Sequence, residues 1–224
     1  KSKVPIMNNL SEHIKNAIDE VRAKEGLIVN NDIKDLSHST MPHPMSTINT
    51  QSLINKLCNL TNTHYLEVGV LRGASYFAAA HNNKGTYYGV DNWSKYANNQ
   101  ELIENNIEKF KSTERNFVFF NEDSWTLDLK KITNKINVFF YDGDHSYESQ
   151  EKILRHFNDV LDDDIILIVD DYSMSTVSDA TEAAIKNSSF EVMTQHELHE
   201  GRTWHNGIYI AHLRRKRKYK NIRF

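Results

Sequence analysis

The stretch HYLEVGVLRGAS, residues 64–75, joins an apolar segment to a helix-forming segment through a turn with two glycines. HYLEVGV has the length and composition of a buried strand, and ASYFAAAHN after Gly73 has the composition of a helix. Glycines in such a turn let a ligand approach the backbone, and the helix N-terminus offers free N–H groups. Gly73 comes four residues after Gly69, so the turn is not the dinucleotide fingerprint G-x-G-x-x-G. Glu67 disfavours a phosphate at this turn and suits a cationic ligand.

The same alternation of short apolar strands and helices continues along the chain. Strands are predicted over residues 64–70, 86–91, 116–123, 136–142, 165–171, 190–195 and 204–213. Helices are predicted over residues 10–24, 49–60, 74–82, 100–110, 146–161 and 179–187. This order predicts an α/β fold with helices on both faces of a largely parallel sheet of seven strands. Residues 196–203 are too few for a crossover helix, so the last two strands are predicted to form an antiparallel hairpin.

Composition and charge narrow the class of protein. The chain has 224 residues, 39% of them apolar, and a net charge of −3, which implies no nucleic acid partner. One cysteine allows no internal disulfide, and neither a signal peptide nor a membrane-spanning apolar run is visible, so a cytoplasmic location is expected. We expect an N-terminal helix with a lid loop over 1–48, one domain over 49–213 and a basic tail over 214–224, the tail most simply a solvated terminus.

Acidic residues end four of the predicted strands, the second to the fifth. Ligands of such sheets bind outside the carboxyl ends of the strands. Asp91, which ends the second strand, is placed to accept hydrogen bonds from both hydroxyls of a ribose. Taken alone, each feature has an alternative interpretation, Asp91 as a plain cap and Gly69 and Gly73 as ordinary turn glycines.

Together these features resemble the class I S-adenosylmethionine-dependent methyltransferases, which have a Rossmann-like fold. The resemblance covers about residues 50–213, and it rests on Glu67-Val68-Gly69-Val70-Leu71-Arg72-Gly73, Asp91 and Glu122-Asp123-Ser124. In that family the turn holds the methionine end of the cofactor, the second strand's acid holds the ribose, and the third strand's end flanks the adenine. The resemblance implies S-adenosylmethionine as cofactor, bound by Glu67, Gly69, Gly73, Ser75, Asp91, Trp93, Asp123 and Ser124.

The fourth and fifth strands end in the acidic segments YDGDH and VDDY. Their carboxylates, Asp142, Asp170 and Asp171, are expected to converge at one edge of the sheet. Three such groups repel one another unless a cation lies between them, and all-oxygen ligation favours Mg²⁺ or Mn²⁺. In the alternative interpretation Asp170 and Asp171 cap the next turn and Asp142 is solvated.

This pattern resembles the metal-dependent O-methyltransferases, most closely the branch that methylates sugar hydroxyls on macrolides and aminocoumarins. The resemblance implies that Asp142, Asp170 and Asp171 are metal ligands, and it matches Asp144 and His145 to catalytic bases. We favour His145, because a nearby dication keeps an imidazole neutral and able to accept a proton, with Asp144 positioning the acceptor or acting as base instead. Catechol-type relatives have Lys at the position of His145, which favours a sugar or other aliphatic hydroxyl here.

The acceptor and the partners are less constrained. A vicinal diol of a sugar or glycan would chelate the metal, and Arg202 and Trp204 in the last hairpin are predicted to contact it. Alternatives are a non-sugar acceptor such as a small phenol, a lipid or a protein, or a non-catalytic Rossmann-like module that binds a nucleotide sugar. A homo-oligomer and a place within a larger glycan-processing protein are both compatible with the sequence, whereas no membrane partner is expected.

Overall fold

The computed structural model describes residues 10–24, 45–199 and 201–217, and within residue 202 the backbone alone. Its strands are β1 (Thr63–Val68), β2 (Gly85–Val90), β3 (Arg115–Phe120), β4 (Ile136–Tyr141), β5 (Leu161–Val169), β6 (Phe190–Leu198) and β7 (Ile208–Arg215). The α-helices of the described residues are α1 (Leu10–Lys24), α2 (Ile48–Leu57), α3 (Ala74–Ala80), α4 (Gln100–Phe110), α5 (Tyr147–His156) and α6 (Ser175–Lys186). None of these helices is long and apolar enough to cross a membrane.

The strands form one sheet in the order β3-β2-β1-β4-β5-β7-β6. The first five strands in sequence are mutually parallel, and β7 is antiparallel to both β5 and β6. The predicted Rossmann-like methyltransferase architecture with a C-terminal antiparallel hairpin is therefore confirmed.

The register of the parallel strands aligns their carboxyl ends. Val68 at the end of β1 pairs with Val90 of β2 and with Tyr141 of β4, and Tyr141 pairs with Val169 of β5. Each of these strands is followed directly by a turn, so Gly69 and the aspartates at positions 91, 142 and 170 emerge at the same edge. The fold thus assembles residues that are far apart in sequence.

The core has two layers because successive strand residues point to opposite faces. Tyr65 belongs to the cluster under helices α1 to α4, whereas Leu66 belongs to the cluster under α5 and α6. Each layer is anchored by fully buried helical residues, such as Leu53 of α2 on one face and Ile153 of α5 on the other. Helices on both faces leave the strand ends as the place for a site.

Helix α1 belongs to this core. Ser11, which would suit an N-cap, lies inside the helix, which begins at Leu10. Its hydroxyl is 2.8 Å from Nδ1 of the buried His212, and Nε2 of that ring lies 2.8 Å from an Asp164 oxygen. A carboxylate only accepts, so His212 donates at Nε2 and accepts the Ser11 hydroxyl at Nδ1. This chain of hydrogen bonds ties α1 to β5 and β7.

Several predicted boundaries differ from the structure by a few residues. The helix predicted over 146–161 ends at His156, and the fifth strand begins at Leu161 rather than at residue 165. The last strand begins at Ile208 rather than at 204, because residues 201–203 form a short 3₁₀ helix and Trp204 lies in the connection. The loop predicted as a lid, residues 39–46, lies outside the described residues apart from its last two positions, Met45 and Ser46.

Candidate functional site

A cavity of about 580 Å³ opens at the carboxyl edge of the sheet, where β1, β2, β4 and β5 end. Five of the predicted cofactor contacts lie in its wall: Gly69, Asp91, Trp93, Asp123 and Ser124. The five predicted metal and catalytic residues lie there too: Asp142, Asp144, His145, Asp170 and Asp171. One cavity therefore brings together both predicted groups of residues.

The remaining predicted cofactor contacts, Glu67, Gly73 and Ser75, support the turn from within. Glu67 is fully buried and accepts hydrogen bonds from the Tyr65 hydroxyl at 2.6 Å and the Ser75 hydroxyl at 2.5 Å. Burial raises the pKa of Glu67 to about 8, against the opposing effect of these two donors. Gly73 has φ +88°, and a Cβ there would lie 2.5 Å from the Phe77 ring. These residues shape the base of the cavity without forming its wall.

Gly69 brings the turn after β1 against the loop after β4. Its φ is +92°, which side chains disfavour, and a Cβ at this position would lie 1.9 Å from the Asp142 carbonyl oxygen. The glycine is therefore required by the fold as well as suited to a ligand.

Asp91 organises the neighbouring backbone. Its two carboxylate oxygens accept hydrogen bonds from the N–H groups of Leu71 and Trp93, each at 2.7 Å. Both residues have positive φ, +50° for Leu71 and +48° for Trp93, so Asp91 stabilises conformations that are otherwise costly. The carboxylate thus links the turn after β1 to the loop after β2.

Trp93 is one of the predicted cofactor contacts, and the structure shows that its side chain is largely structural. Its Nε1 donates to the Leu71 carbonyl oxygen at 2.8 Å, and its ring packs on Phe119 with centroids 5.3 Å apart. Only 5% of Trp93 is exposed, although the residue contributes to the cavity wall. Little of the ring is available for stacking on a ligand.

Trp125 is a more open aromatic residue that the sequence reasoning missed. It lines the cavity beside Asp123 and Ser124, and its N–H donates to an Asp123 oxygen at 2.8 Å. The Lys152 ammonium lies 4.0 Å from the centroid of its ring. The signal in the sequence was its position directly after the Glu122-Asp123-Ser124 segment that ends the third strand.

His145 faces two carboxylates. Its Nε2 lies 3.1 Å from an Asp171 oxygen and 3.7 Å from an Asp142 oxygen. Nδ1 is buried and has no hydrogen-bond partner among the described residues. Burial lowers the pKa of His145, an effect that the charge of Asp171 opposes. A lowered pKa favours the neutral imidazole, the form that can accept a proton.

Asp144, the other predicted base, is engaged elsewhere. One oxygen pairs with the Lys95 ammonium at 2.8 Å, and the other accepts the hydroxyls of Ser146 at 2.5 Å and Ser149 at 2.9 Å. The hydrogen bond from Lys95, followed by that from Ser146, lowers the pKa of Asp144. A carboxylate held in this way is a weak base, so the geometry favours His145.

The three predicted metal ligands lie in the same wall but differ in their surroundings. Burial, followed by the charge of Asp170, raises the pKa of Asp142. Burial and the charge of Asp171 raise the pKa of Asp170 to about 7. Crowded, destabilised carboxylates of this kind fit a hard divalent cation chemically. The Asp171 oxygens already contact His145 at 3.1 Å and the Asn206 amide at 2.8 Å, which competes with a role as third ligand.

Across the described ranges, no group of three or more His, Cys, Asp or Glu side chains is arranged as a metal site. The donor chemistry thus fits a cation, whereas the present arrangement of the carboxylates does not assemble a complete ligand set.

The predicted acceptor contacts in the last hairpin are only partly supported. Trp204 is 1% exposed and packs in the core cluster under α1 to α4 instead of facing the cavity. The prediction that it contacts a sugar is corrected, because a side chain buried in this way offers no surface to a ligand. The side chain of Arg202 lies outside the described part of the structure. The hairpin residues that do line the cavity are His205 and Asn206.

Comparison with known proteins shows that the chain is similar to methyltransferases. Residues 66–172 match the family model described as "Methyltransferase domain". No curated protein sequence matches the chain.

Solved structures share the fold at low sequence identity. The O-methyltransferase TomG from Streptomyces achromogenes, involved in tomaymycin synthesis and solved with S-adenosylmethionine, is 11% identical with a TM-score of 0.59, over 88% of this chain and 96% of that one. A methyltransferase from Geobacter sulfurreducens is 13% identical with a TM-score of 0.57, over 88% of this chain and 96% of that one. TrmN from Thermus thermophilus is 12% identical with a TM-score of 0.52, over 75% of this chain, which spans only 48% of that one.

The matched segment runs from the middle of β1 to the residue after Asp171. It therefore contains the turn at residues 69–73, Asp91 and the three carboxylates of Asp142, Asp170 and Asp171. Its strands are those that form the cavity described above. Residues 66–172 therefore match a methyltransferase domain, and the sheet they form has the fold of solved methyltransferases.

Proposed function

We propose that the chain is a metal-dependent O-methyltransferase that methylates a hydroxyl of a sugar or glycan. The observation that carries this proposal is the position of a histidine, His145, among carboxylates in the wall of the cavity that Gly69 and Asp91 also line. An alcohol is a poor nucleophile until its proton is removed, and His145 supplies a base for that proton.

Two chemical groups from outside the chain complete the reaction. Bound S-adenosylmethionine supplies an electrophilic methyl group on a cationic sulfur. A divalent cation, held by Asp142 and Asp170, would lower the pKa of the acceptor hydroxyl and orient it. A vicinal diol offers such a cation two oxygens, which favours a sugar as the acceptor.

The residues of the chain then have distinct tasks. Gly69 and Asp91 shape the cofactor side of the cavity through the close approach and the hydrogen bonds described above. His145 accepts the hydroxyl proton as the new oxygen–carbon bond forms. Removal of such a base typically costs on the order of 10²–10⁴ in rate.

A non-sugar acceptor, such as a small phenol, is the second candidate. Two large apolar side chains in the cavity wall favour it, Met45 at 43% exposure and Tyr96 at 48%. These side chains could cover an aromatic ring as well as a sugar face.

The test uses the protein with methyl-labelled S-adenosylmethionine and three acceptors: a methyl glycoside with a vicinal diol, its deoxy analogue and catechol. The proposal predicts label on the glycoside alone, loss of transfer in EDTA and recovery with Mg²⁺ or Mn²⁺. Transfer to catechol alone would favour the second candidate. Full transfer after exhaustive chelation would contradict the metal, and cofactor binding without transfer to any acceptor would favour a binding module.

A further inference from the structure

Left-handed backbone is concentrated around the cavity. Among the described residues, five that are not glycine have a positive φ, and four of these line the cavity wall: Leu71 (+50°), Trp93 (+48°), Asp171 (+56°) and His205 (+52°). The fifth, Asn82, lies in the connection between α3 and β2, away from the wall. Residues persist in such costly conformations only where the surrounding structure holds them, and they cluster at functional sites.

His205 differs from the other three because its side chain makes no structural contact that explains it. The two residues after β1 and β2 are held by Asp91, and Asp171 accepts the Asn206 amide at 2.8 Å. The His205 ring forms no hydrogen bond with a described residue, and its Nδ1 lies 3.9 Å from an Asp171 oxygen, beyond hydrogen-bonding distance. Of this side chain, 39% is exposed. The imidazole is therefore accessible from the cavity, and the described structure does not require it.

The backbone of His205 is fixed by a tight turn. The Trp204 carbonyl oxygen accepts the Gly207 N–H at 3.0 Å, which closes a four-residue turn with His205 at its second position. The buried Trp204 anchors one end of the turn in the core, and the Ser173 N–H donates to the Asn206 carbonyl oxygen at 2.8 Å. Turns with a positive φ at the second position ordinarily have glycine, asparagine or aspartate there. The chain instead holds a large side chain at a fixed point of the cavity wall, at a cost in backbone energy.

We propose that His205 is a specificity-determining residue: its imidazole forms a hydrogen bond with a hydroxyl of the acceptor other than the one that is methylated. The proposal rests on the proposed function, because it assumes an acceptor with several hydroxyls in this cavity. An imidazole has an N–H that can donate to a hydroxyl oxygen in each of its protonation states. His205 lies in the same wall as Asp142 and Asp170, the two carboxylates proposed to hold the cation. It thus supplies the acceptor contact from the last hairpin that the buried Trp204 cannot provide.

Two substitutions separate the ring of His205 from its backbone. His205→Gly removes the ring and relieves the positive φ, whereas His205→Ala removes the ring and keeps the backbone cost. The midpoint of thermal unfolding of His205→Gly should equal that of the wild type or exceed it by up to about 4 °C, because the relieved backbone offsets the added freedom of the unfolded chain. Asn82→Gly is the matched control, since it changes the same backbone conformation, φ +57°, outside the cavity wall.

Binding is measured without turnover. Calorimetry follows a methyl glycoside with a vicinal diol as it binds to each protein saturated with S-adenosylhomocysteine and Mg²⁺, at one pH. Both His205 variants should bind the glycoside about 3- to 10-fold more weakly than the wild type, as expected for one lost hydrogen bond. Their affinity for S-adenosylhomocysteine should stay within about 2-fold of the wild type. Asn82→Gly should bind both ligands as the wild type does.

An unchanged glycoside affinity in either His205 variant would overturn the proposal. A lower unfolding midpoint for His205→Gly would also overturn it, because the side chain would then serve the fold. The same holds if the wild-type complex does not bind the glycoside, or if Asn82→Gly weakens glycoside binding equally. Glycoside binding that depends on His205, with no methyl transfer from S-adenosylmethionine, would refute the proposed function and still support the contact.

Discussion

Replacing Gly69 by alanine tests whether the turn after β1 and the loop after β4 must pack closely against each other. The new Cβ would lie 1.9 Å from the Asp142 carbonyl oxygen, whereas ordinary contacts are at least 3.0 Å, so the two loops must separate by about 1 Å. Left-handed backbone costs a non-glycine residue about 1–2 kcal/mol, and overpacking adds about 1–3 kcal/mol. The expected loss of unfolding free energy is therefore about 2–5 kcal/mol.

Gly201→Ala is the matched control for this prediction. Gly201 also has a positive φ, +45°, but a Cβ there would meet nothing within 4 Å. It should therefore show the backbone cost alone, about 1–2 kcal/mol. Urea unfolding measures both variants, and calorimetry measures their affinity for S-adenosylhomocysteine. Gly69→Ala should also lose most cofactor affinity, whereas Gly201→Ala should keep it. Equal stabilities of the two variants, with cofactor binding intact, would refute the close approach as the reason for Gly69.

Three further substitutions have defined outcomes. Asp91→Ala should weaken binding of S-adenosylhomocysteine in calorimetry by at least 10-fold, because two backbone N–H groups lose a charged acceptor worth about 1.5–3 kcal/mol each; unchanged affinity would contradict this. Chemical unfolding should show Glu67→Gln gaining stability relative to the wild type as the pH rises from about 5 to 8. The raised pKa of Glu67 gives the wild type stability that is complete below the unfolded pKa and is lost towards about pH 8, by up to ~1.4 kcal/mol per pH unit. A stability difference independent of pH would count against this. Trp204→Ala should lower the unfolding free energy by about 3–5 kcal/mol, as for a core residue; a loss under 1 kcal/mol would restore it as a surface contact.

The fold was predictable because its signals are local. Apolar strands alternating with amphipathic helices indicated the parallel sheet, and the short connection after residue 195 indicated the final hairpin. The boundary between α5 and β5 was not predictable, because Phe157, Val160 and Leu161 continue the helical spacing of Ile153. Three aspartates, residues 162–164, then interrupt the apolar pattern of the strand that begins at Leu161. Trp204 was predicted to lie in the last strand because an aromatic residue close to a strand pattern is typical of the strand itself, whereas β7 begins at Ile208.

Within the site, strand ends predicted which side chains would gather but not how they would pair. Asp144 and Lys95 are 49 positions apart, and their ion pair depends on the loop after β2 reaching the loop after β4. Asn206 lies 35 positions from Asp171, and only the antiparallel docking of β7 on β5 brings them together. Such contacts decide which of two adjacent residues is the better base, and no pattern in the sequence contains them.

A single-turnover comparison tests whether His145 is the base of a methyl transfer at this cavity. The wild type, His145→Gln and Asp144→Asn would each be mixed with labelled S-adenosylmethionine, Mg²⁺ and a glycoside with a vicinal diol, and methylated product would be measured over time. We expect a rate loss on the order of 10²–10⁴ for His145→Gln and less than about 10-fold for Asp144→Asn. Cofactor affinity should be nearly unchanged in both variants. Near-normal transfer by His145→Gln together with loss of transfer by Asp144→Asn would show that His145 is not the base.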